Sequence, residues 1–201
     1  MIIIGLCGSS GAGKGYVCEK FSHHGVAFID TDRVYREEVL TDQRCIGELT
    51  DYFGNGILVG GSVSKKRLAE LVFEGDNSQA RLARLNQITH KYIKIKTEEL
   101  IRRYEGQGYS ATLVDAPVLF ESGFDKMCHV TICVTAPYEQ KLQRIMDRDK
   151  ISREKAQARL CTQLGDEKLR QACTYEIDNT DGKDIECQIN SILKELSIEE
   201  S

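Results

Sequence analysis

Near the start of the chain, Gly8-Ser9-Ser10-Gly11-Ala12-Gly13-Lys14-Gly15 has the spacing GxxxxGK. Glycines at these places let the backbone curl so that successive N–H groups converge on an anion. A helix N-terminus behind them adds partial positive charge. Lys14 can reach the β- and γ-phosphates of a nucleoside triphosphate and offset charge as the phosphoryl group leaves. Gly8 through Gly15, with Tyr16 next in line, therefore read as a phosphate cradle. The place after the lysine normally carries Ser or Thr, whose hydroxyl ligates Mg²⁺. Here it is Gly15, so the loop offers no direct metal ligand at that position, and glycine weakens the first helical turn. Nothing in the sequence assigns Ser9 or Ser10 that role.

Acids and arginines further along could act on the same phosphates. Asp30 and Asp32 follow the β-rich run Val26–Ile29. Strand C-terminal ends face the ligand crevice of an open α/β sheet. Carboxylates there can take a proton from a substrate hydroxyl or help to hold Mg²⁺. The competing reading is a helix cap for a helix beginning near Arg33. Asp115 closes the run Leu113-Val114-Asp115, the place and composition of an acid that orients Mg²⁺ through water; the alternative is an ordinary strand end. Arg144 and Arg148, four apart on a helix, can face one ligand, and a planar, permanently charged guanidinium suits phosphate. Arg153 and Arg159 read instead as a solvated face shared with Asp147, Asp149 and Glu154. His23, His24 and His129 look like surface or strand-edge residues. His90 lies inside a long helical pattern, where a histidine is ordinarily structural.

Positioning these groups requires a frame. The apolar run Ile2, Ile3, Ile4 and Leu6 is a buried strand that stops at glycines. Val17, Cys18 and Phe21 mark one face of a helix that Gly25 can end. With Val26–Ile29 this makes strand, glycine loop, helix, strand, a unit that favours a parallel sheet. Helical patterns follow: Ile46, Leu49 and Phe53; Leu68, Leu71 and Val72, with Ser64 as N-cap; and a long stretch from Ser78 to Glu105 that forms one bent helix or two. This middle region reads as all-helical. Strand patterns return at Ala111–Val114, Val130–Val134 and, weakly, Tyr175–Ile177. Leu142, Ile145 and Met146 mark a helix between the last two, and Ile185 to Leu196 a final one.

At 201 residues the chain can build one substantial core, and the formal net charge of -4 argues against a general nucleic-acid or membrane-surface binder. No stretch reads as a membrane span or a signal peptide. The eight cysteines form no CxxC pair and have no zinc-ligand spacing, so they read as reduced, small apolar side chains in a cytoplasmic protein.

Taken in order, these motifs resemble the dephospho-CoA kinase family from Ile4 to Asn179. The resemblance runs through Gly5-Leu6-Cys7-Gly8, Phe28-Ile29-Asp30-Thr31-Asp32, Phe53-Gly54, Lys66-Arg67-Leu68, Val72-Phe73 and Ile88-Thr89-His90. Pro117-Val118-Leu119-Phe120-Glu121 is similar to the family's Pro-Leu-Leu-Phe-Glu. Arg144 to Asp149 is similar to its lid, and Ile177-Asp178-Asn179 to its last strand. The resemblance implies an α/β fold: a P-loop kinase core with a five-stranded parallel sheet, a helical substrate-binding insertion and a small helical lid. It places the core at 1–32, 110–140 and 166–201, the insertion at 33–109 and the lid at 141–165. The implied reaction is ATP-dependent phosphorylation of the ribose 3′-hydroxyl of dephospho-CoA, with Mg²⁺. Asp32 would be the general base, and Lys14 with Arg144 or Arg148 would stabilise the phosphoryl group in transfer. His90, Pro117, Leu119 and Glu121 would lie near the acceptor, Asn179 near the adenine, and Asp115 and Asp32 near the metal. Two positions depart from the family pattern: Gly15, and Lys91, which stands where the family has proline. Two alternatives stay open at this point, a nucleoside or nucleotide kinase of the same loop class and a nucleotide-binding protein impaired by Gly15. Oligomeric state is open as well.

Overall fold

The computed structural model describes residues 1–198. The chain enters through β1 (Ile2–Cys7), whose second half is buried, and passes a glycine loop into α1 (Lys14–His23). β2 (Ala27–Asp30) leads directly into α2 (Thr31–Glu37). Asp30 caps that helix, its side chain accepting the Arg33 N–H at 3.0 Å. α3 (Gln43–Phe53) is capped by Asp42 in the same way. Two short strands, β3 (Leu58–Val59) and β4 (Ser62–Val63), precede α4 (Lys65–Phe73), capped by Ser64 as its sequence predicts. α5 (Ser78–Gly106) runs for 29 residues. Then come β5 (Ala111–Asp115), β6 (Val130–Thr135), α6 (Tyr138–Asp149), α7 (Arg153–Cys161), α8 (Asp166–Ala172), β7 (Tyr175–Asp178) and α9 (Ile185–Glu195).

The five long strands form one sheet in the order β2-β5-β1-β6-β7. β1 is central and pairs in parallel with β5 on one side and β6 on the other. The register sets Leu6 opposite Asp115 and Cys7 opposite Cys133. From β1 the chain steps outward past β5 and later returns to the other side at β6. The order therefore switches beside β1, where open α/β sheets form their ligand crevice. This is the five-stranded parallel core that the family resemblance implies, built from the runs read as strands. Phe21, Val17 and Val26 from around α1, Ile185, Ile189 and Ile192 from α9, and the strand residues Ile4, Leu6, Leu113 and Val134 make one continuous core. α6 and α7 carry a small core of their own, with Leu142, Ile145 and Ala156 buried together.

The chain divides into two compact units, Met1–Ile29 with the segment from Arg103 onward, and Asp30–Arg102. The second unit departs from the all-helical expectation. Leu58–Val59 and Ser62–Val63 pair antiparallel around Gly60 and Gly61, at φ +59° and +82°. Two consecutive positive-φ residues are what a tight hairpin turn requires, and glycine takes them without steric cost. Arg67 donates to the carbonyls of Gly56 and Leu58, at 3.3 and 3.0 Å, and fastens the hairpin to α4. The stretch from Ser78 is one continuous helix. Lys91 sits within it, paired with Glu48 of α3, and extends the helix where a proline would remove a backbone hydrogen bond.

Candidate active site

The phosphate loop hangs from the C-terminal end of β1, and its shape excludes side chains at Gly8, Gly11 and Gly13, a β-carbon on Gly8 meeting the Val134 carbonyl. Gly11 has φ +77° and Gly13 has φ +91°. A β-carbon on Gly11 would collide with the Lys141 backbone, and one on Gly13 with the Asn179 amide. Gly13 is also the N-cap of α1, with no side chain to satisfy the helix's first N–H groups. Those donors, and the positive end of the helix, are left for an anion. Lys14 folds back, its Nζ donating to the Gly8 carbonyl at 3.1 Å.

Ser9, Ser10, Gly13, Lys14, Asp115, Arg144 and Arg148 line a common cleft of about 410 Å³. The structure thus brings the loop, the acid and both arginines of the sequence reading together. Arg144 reaches furthest in. It donates to the Gly11 carbonyl at 3.4 Å and to the Asn179 carbonyl at 3.0 Å, and pairs with Asp181 at 2.6 Å. Asn179 in turn donates to the Ala12 carbonyl at 2.8 Å, so β7 delivers it to the rear of the loop. Arg148 is more exposed and pairs with Asp149. Arg153 pairs with Glu139 and Arg159 with Asp149, the solvated face their spacing predicts.

The Ser9 hydroxyl is engaged within the protein. Ser9 is 6% exposed. Its Oγ donates to Asp166 at 3.0 Å and accepts from Lys141 Nζ at 3.1 Å. The Ser10 N–H is held by the Gln163 side chain at 2.8 Å. Lys141, Gln163 and Asp166 are absent from the sequence reading. One signal could have found the first of them: Lys141 shares a helical face with Leu142 and Ile145, where a cation needs a buried partner.

A smaller pocket of about 120 Å³ opens on the other side of Ser9. Pro117, Leu119 and Glu121 line it, with Gln163 and Leu164 opposite. Leu119 is almost fully buried and fills the space over Gly5, where any β-carbon would meet it and Cys128. Asp32 and His90 belong to the Asp30–Arg102 unit. Asp32 is exposed in the first turn of α2. Burial pushes the His90 imidazole below its usual pKa, so at neutral pH it is an uncharged hydrogen-bonding group. His129 accepts the Ile3 N–H on Nδ1 at 2.9 Å and is exposed just before β6, a surface position as its place in the sequence suggests.

A glycine loop between the central strand and its helix, a strand-end acid beside it and arginines arriving from a later helix define a P-loop kinase. The profile of the CoaE dephospho-CoA kinase family matches residues 2–184, and the chain belongs to that family. The dephospho-CoA kinase of Dehalococcoides mccartyi is 34% identical over 97% of this chain and 98% of its own. Among solved structures, Thermus thermophilus TT1252 is 30% identical with a TM-score of 0.79, covering 97% of both chains. The dephospho-CoA kinase of Campylobacter jejuni is 26% identical with a TM-score of 0.69, covering 97% of this chain and 96% of that one.

Proposed function

We propose that this chain transfers the γ-phosphoryl group of ATP to the ribose 3′-hydroxyl of dephospho-CoA, yielding coenzyme A and ADP. The observation that carries the reading is the shared cleft of the phosphate loop, Asp115, Arg144 and Arg148 within a chain that matches the family over residues 2–184. The acceptor 3′-oxygen attacks the γ-phosphorus, the bond to the β,γ-bridging oxygen breaks, and the hydroxyl proton passes to the Asp32 carboxylate. Asp32 suits this role because it is an exposed acid just past a strand end. Lys14, Arg144 and Arg148 stabilise the charge on the phosphoryl group in transfer. Gly8, Gly11, Ala12, Gly13 and Gly15 present backbone to the phosphates, Ser9 and Ser10 line the same cleft, Tyr16 flanks it, and Asn179 faces the adenine. Pro117, Leu119, Glu121 and His90 contact the acceptor. The segment 33–109 serves as the acceptor domain and 141–165 as the lid, which the separate small core of α6 and α7 supports.

Mg²⁺ fits the donor chemistry of this cleft. Asp115 is the carboxylate in its lining, and among the described residues no group of three or more His, Cys, Asp or Glu is gathered to cage a metal. Mg²⁺ keeps several waters and commonly takes one or two carboxylates plus substrate phosphates, so Asp115 with the triphosphate suffices. When bound, the ion would neutralise charge on the β- and γ-phosphates. A cytoplasmic setting accords with Cys7, Cys45 and Cys133 being buried as small apolar side chains. No helix of the described residues is long and apolar enough to cross a membrane.

The test is ADP release by purified protein with dephospho-CoA, with and without Mg²⁺, against a panel of nucleosides. Phosphorylation of a nucleoside but not dephospho-CoA would overturn the reading. Asp32→Asn is expected to lower kcat about a hundredfold or more while ATP affinity stays near the parent value, because a general base acts in the chemical step. An equal loss of ATP binding would remove Asp32 from that role.

A further inference from the structure

We infer that Lys141, through Asp166 and Ser9, is a positioning residue that sets the first half of the phosphate loop for the triphosphate. The inference rests on the ATP-binding reading above. Lys141 is 7% exposed, and its Nζ has three polar contacts: both Asp166 carboxylate oxygens at 2.8 Å and the Ser9 hydroxyl at 3.1 Å. Ser9 closes the triangle by donating to Asp166 at 3.0 Å. The Lys141 backbone also abuts Gly11 so closely that no β-carbon fits between them. Gln163, three residues before Asp166, takes the Ser10 N–H. Loop residues 9, 10 and 11 are therefore each held from outside by α6 or by the segment entering α8.

The middle of the loop is held from another direction: the Asn179 side chain donates to the Ala12 carbonyl at 2.8 Å and its amide abuts Gly13. The Lys141–Asp166 pair fixes the entrance of the loop at Ser9. A glycine-rich loop gains from being fixed before its ligand arrives, because backbone disorder is an entropic cost at binding. Lys141 and Asp166 cancel each other's charge and do not line the phosphate cleft. Their effect on the nucleotide is thus geometric, transmitted by Ser9, and the charge comes from Lys14, Arg144 and Arg148. A plain ion pair joining α6 to α8 would stabilise the fold without involving Ser9, and the two possibilities separate experimentally.

Ser9→Ala, Lys141→Met and the double variant are compared with the parent for ATP dissociation constant by calorimetry without acceptor, for KM of ATP and of dephospho-CoA, and for Tm. Each single variant is expected to weaken ATP binding about tenfold, the scale of one lost hydrogen bond to a charged group. The double variant should be no weaker than the worse single, since both act along one route. KM for dephospho-CoA should stay within about twofold of the parent, the loop contacts being to the donor phosphates. If Lys141→Met lowers Tm yet binds ATP like the parent, the pair is scaffolding and the inference falls. Additive losses would show that Lys141 does not act through Ser9. Should Lys141→Met fail to fold, Ser9→Ala keeps the buried pair and decides alone: parent-like ATP affinity overturns the inference. A parent that binds no ATP sinks the phosphate-site reading and this inference with it. A parent that binds ATP but does not phosphorylate dephospho-CoA removes the proposed acceptor and leaves the calorimetric comparison decisive for Lys141.

Discussion

Among the described residues, nothing outside Gly15's own stretch of helix lies within 4 Å of where its β-carbon would stand, so a serine fits there. Replacing a helical glycine also strengthens the first turn of α1, by up to about 1 kcal/mol. Gly15→Ser is therefore expected to raise Tm slightly and, by adding a hydroxyl where loops of this class usually carry one, to lower the Mg²⁺ concentration needed for half-maximal activity. An unchanged Mg²⁺ requirement would mean that Asp115, phosphates and water already complete the metal's surroundings. At this scale the sequence was legible wherever chemistry depends on neighbours in the chain. Gly8 through Lys14 declare a phosphate loop by spacing alone, and Asp115 by ending a strand. Lys141, Gln163 and Asp166 were not legible. Asp166 lies 25 positions from Lys141 and 157 from Ser9, and only the fold brings the three together. Asp30 also settles in a way that spacing left open: it is the helix cap of the pair, leaving Asp32 exposed.

Among the elements, α3 offers a clean electrostatic test. Asp42 caps it, taking the Arg44 N–H at 2.9 Å and the Arg44 guanidinium at 2.8 and 3.1 Å, with Lys96 at 3.7 Å. The hydrogen bonds from the Arg44 side chain hold the carboxyl well below the usual carboxylate range. A group whose pKa is depressed on folding contributes stability above its unfolded value and loses it as pH falls through the folded one. Urea unfolding should therefore show Asp42→Asn less stable than the parent at pH 7, with the gap closing as pH drops below about 4. A gap independent of pH would assign the effect to packing. The long elements were readable because their apolar periods persist for several turns or for a whole strand. The hairpin at Leu58–Val63 was not, since two-residue strands carry no period. α5 resolved in favour of a single helix because nothing between Ser78 and Gly106 interrupts its backbone bonding, Lys91 included.

For the molecule as a whole, the sheet order matters more than any single contact. The parallel core and the place of the phosphate loop followed from strand–loop–helix–strand at the N-terminus, but the central position of β1 did not, because its neighbours are drawn from the far side of a 73-residue excursion. That arrangement has a consequence for how the protein is made. Ile2–Cys7 leaves the ribosome well before its partners, Ala111–Asp115 and Val130–Cys133. At ordinary elongation rates this apolar strand waits on the order of ten seconds for both of its neighbours. Pairings this distant also fold slowly, because the intervening loop must close before any contact repays it. A fragment ending at Ser110, lacking β5 and β6, should neither bind ATP nor unfold cooperatively, while the full chain does both; ATP binding by the fragment would refute this order of events. The phosphate loop is thus local in sequence, while the strands that hold it in place, Ala111–Asp115 and Val130–Cys133, are distant, so the loop acquires its working shape after both have been made.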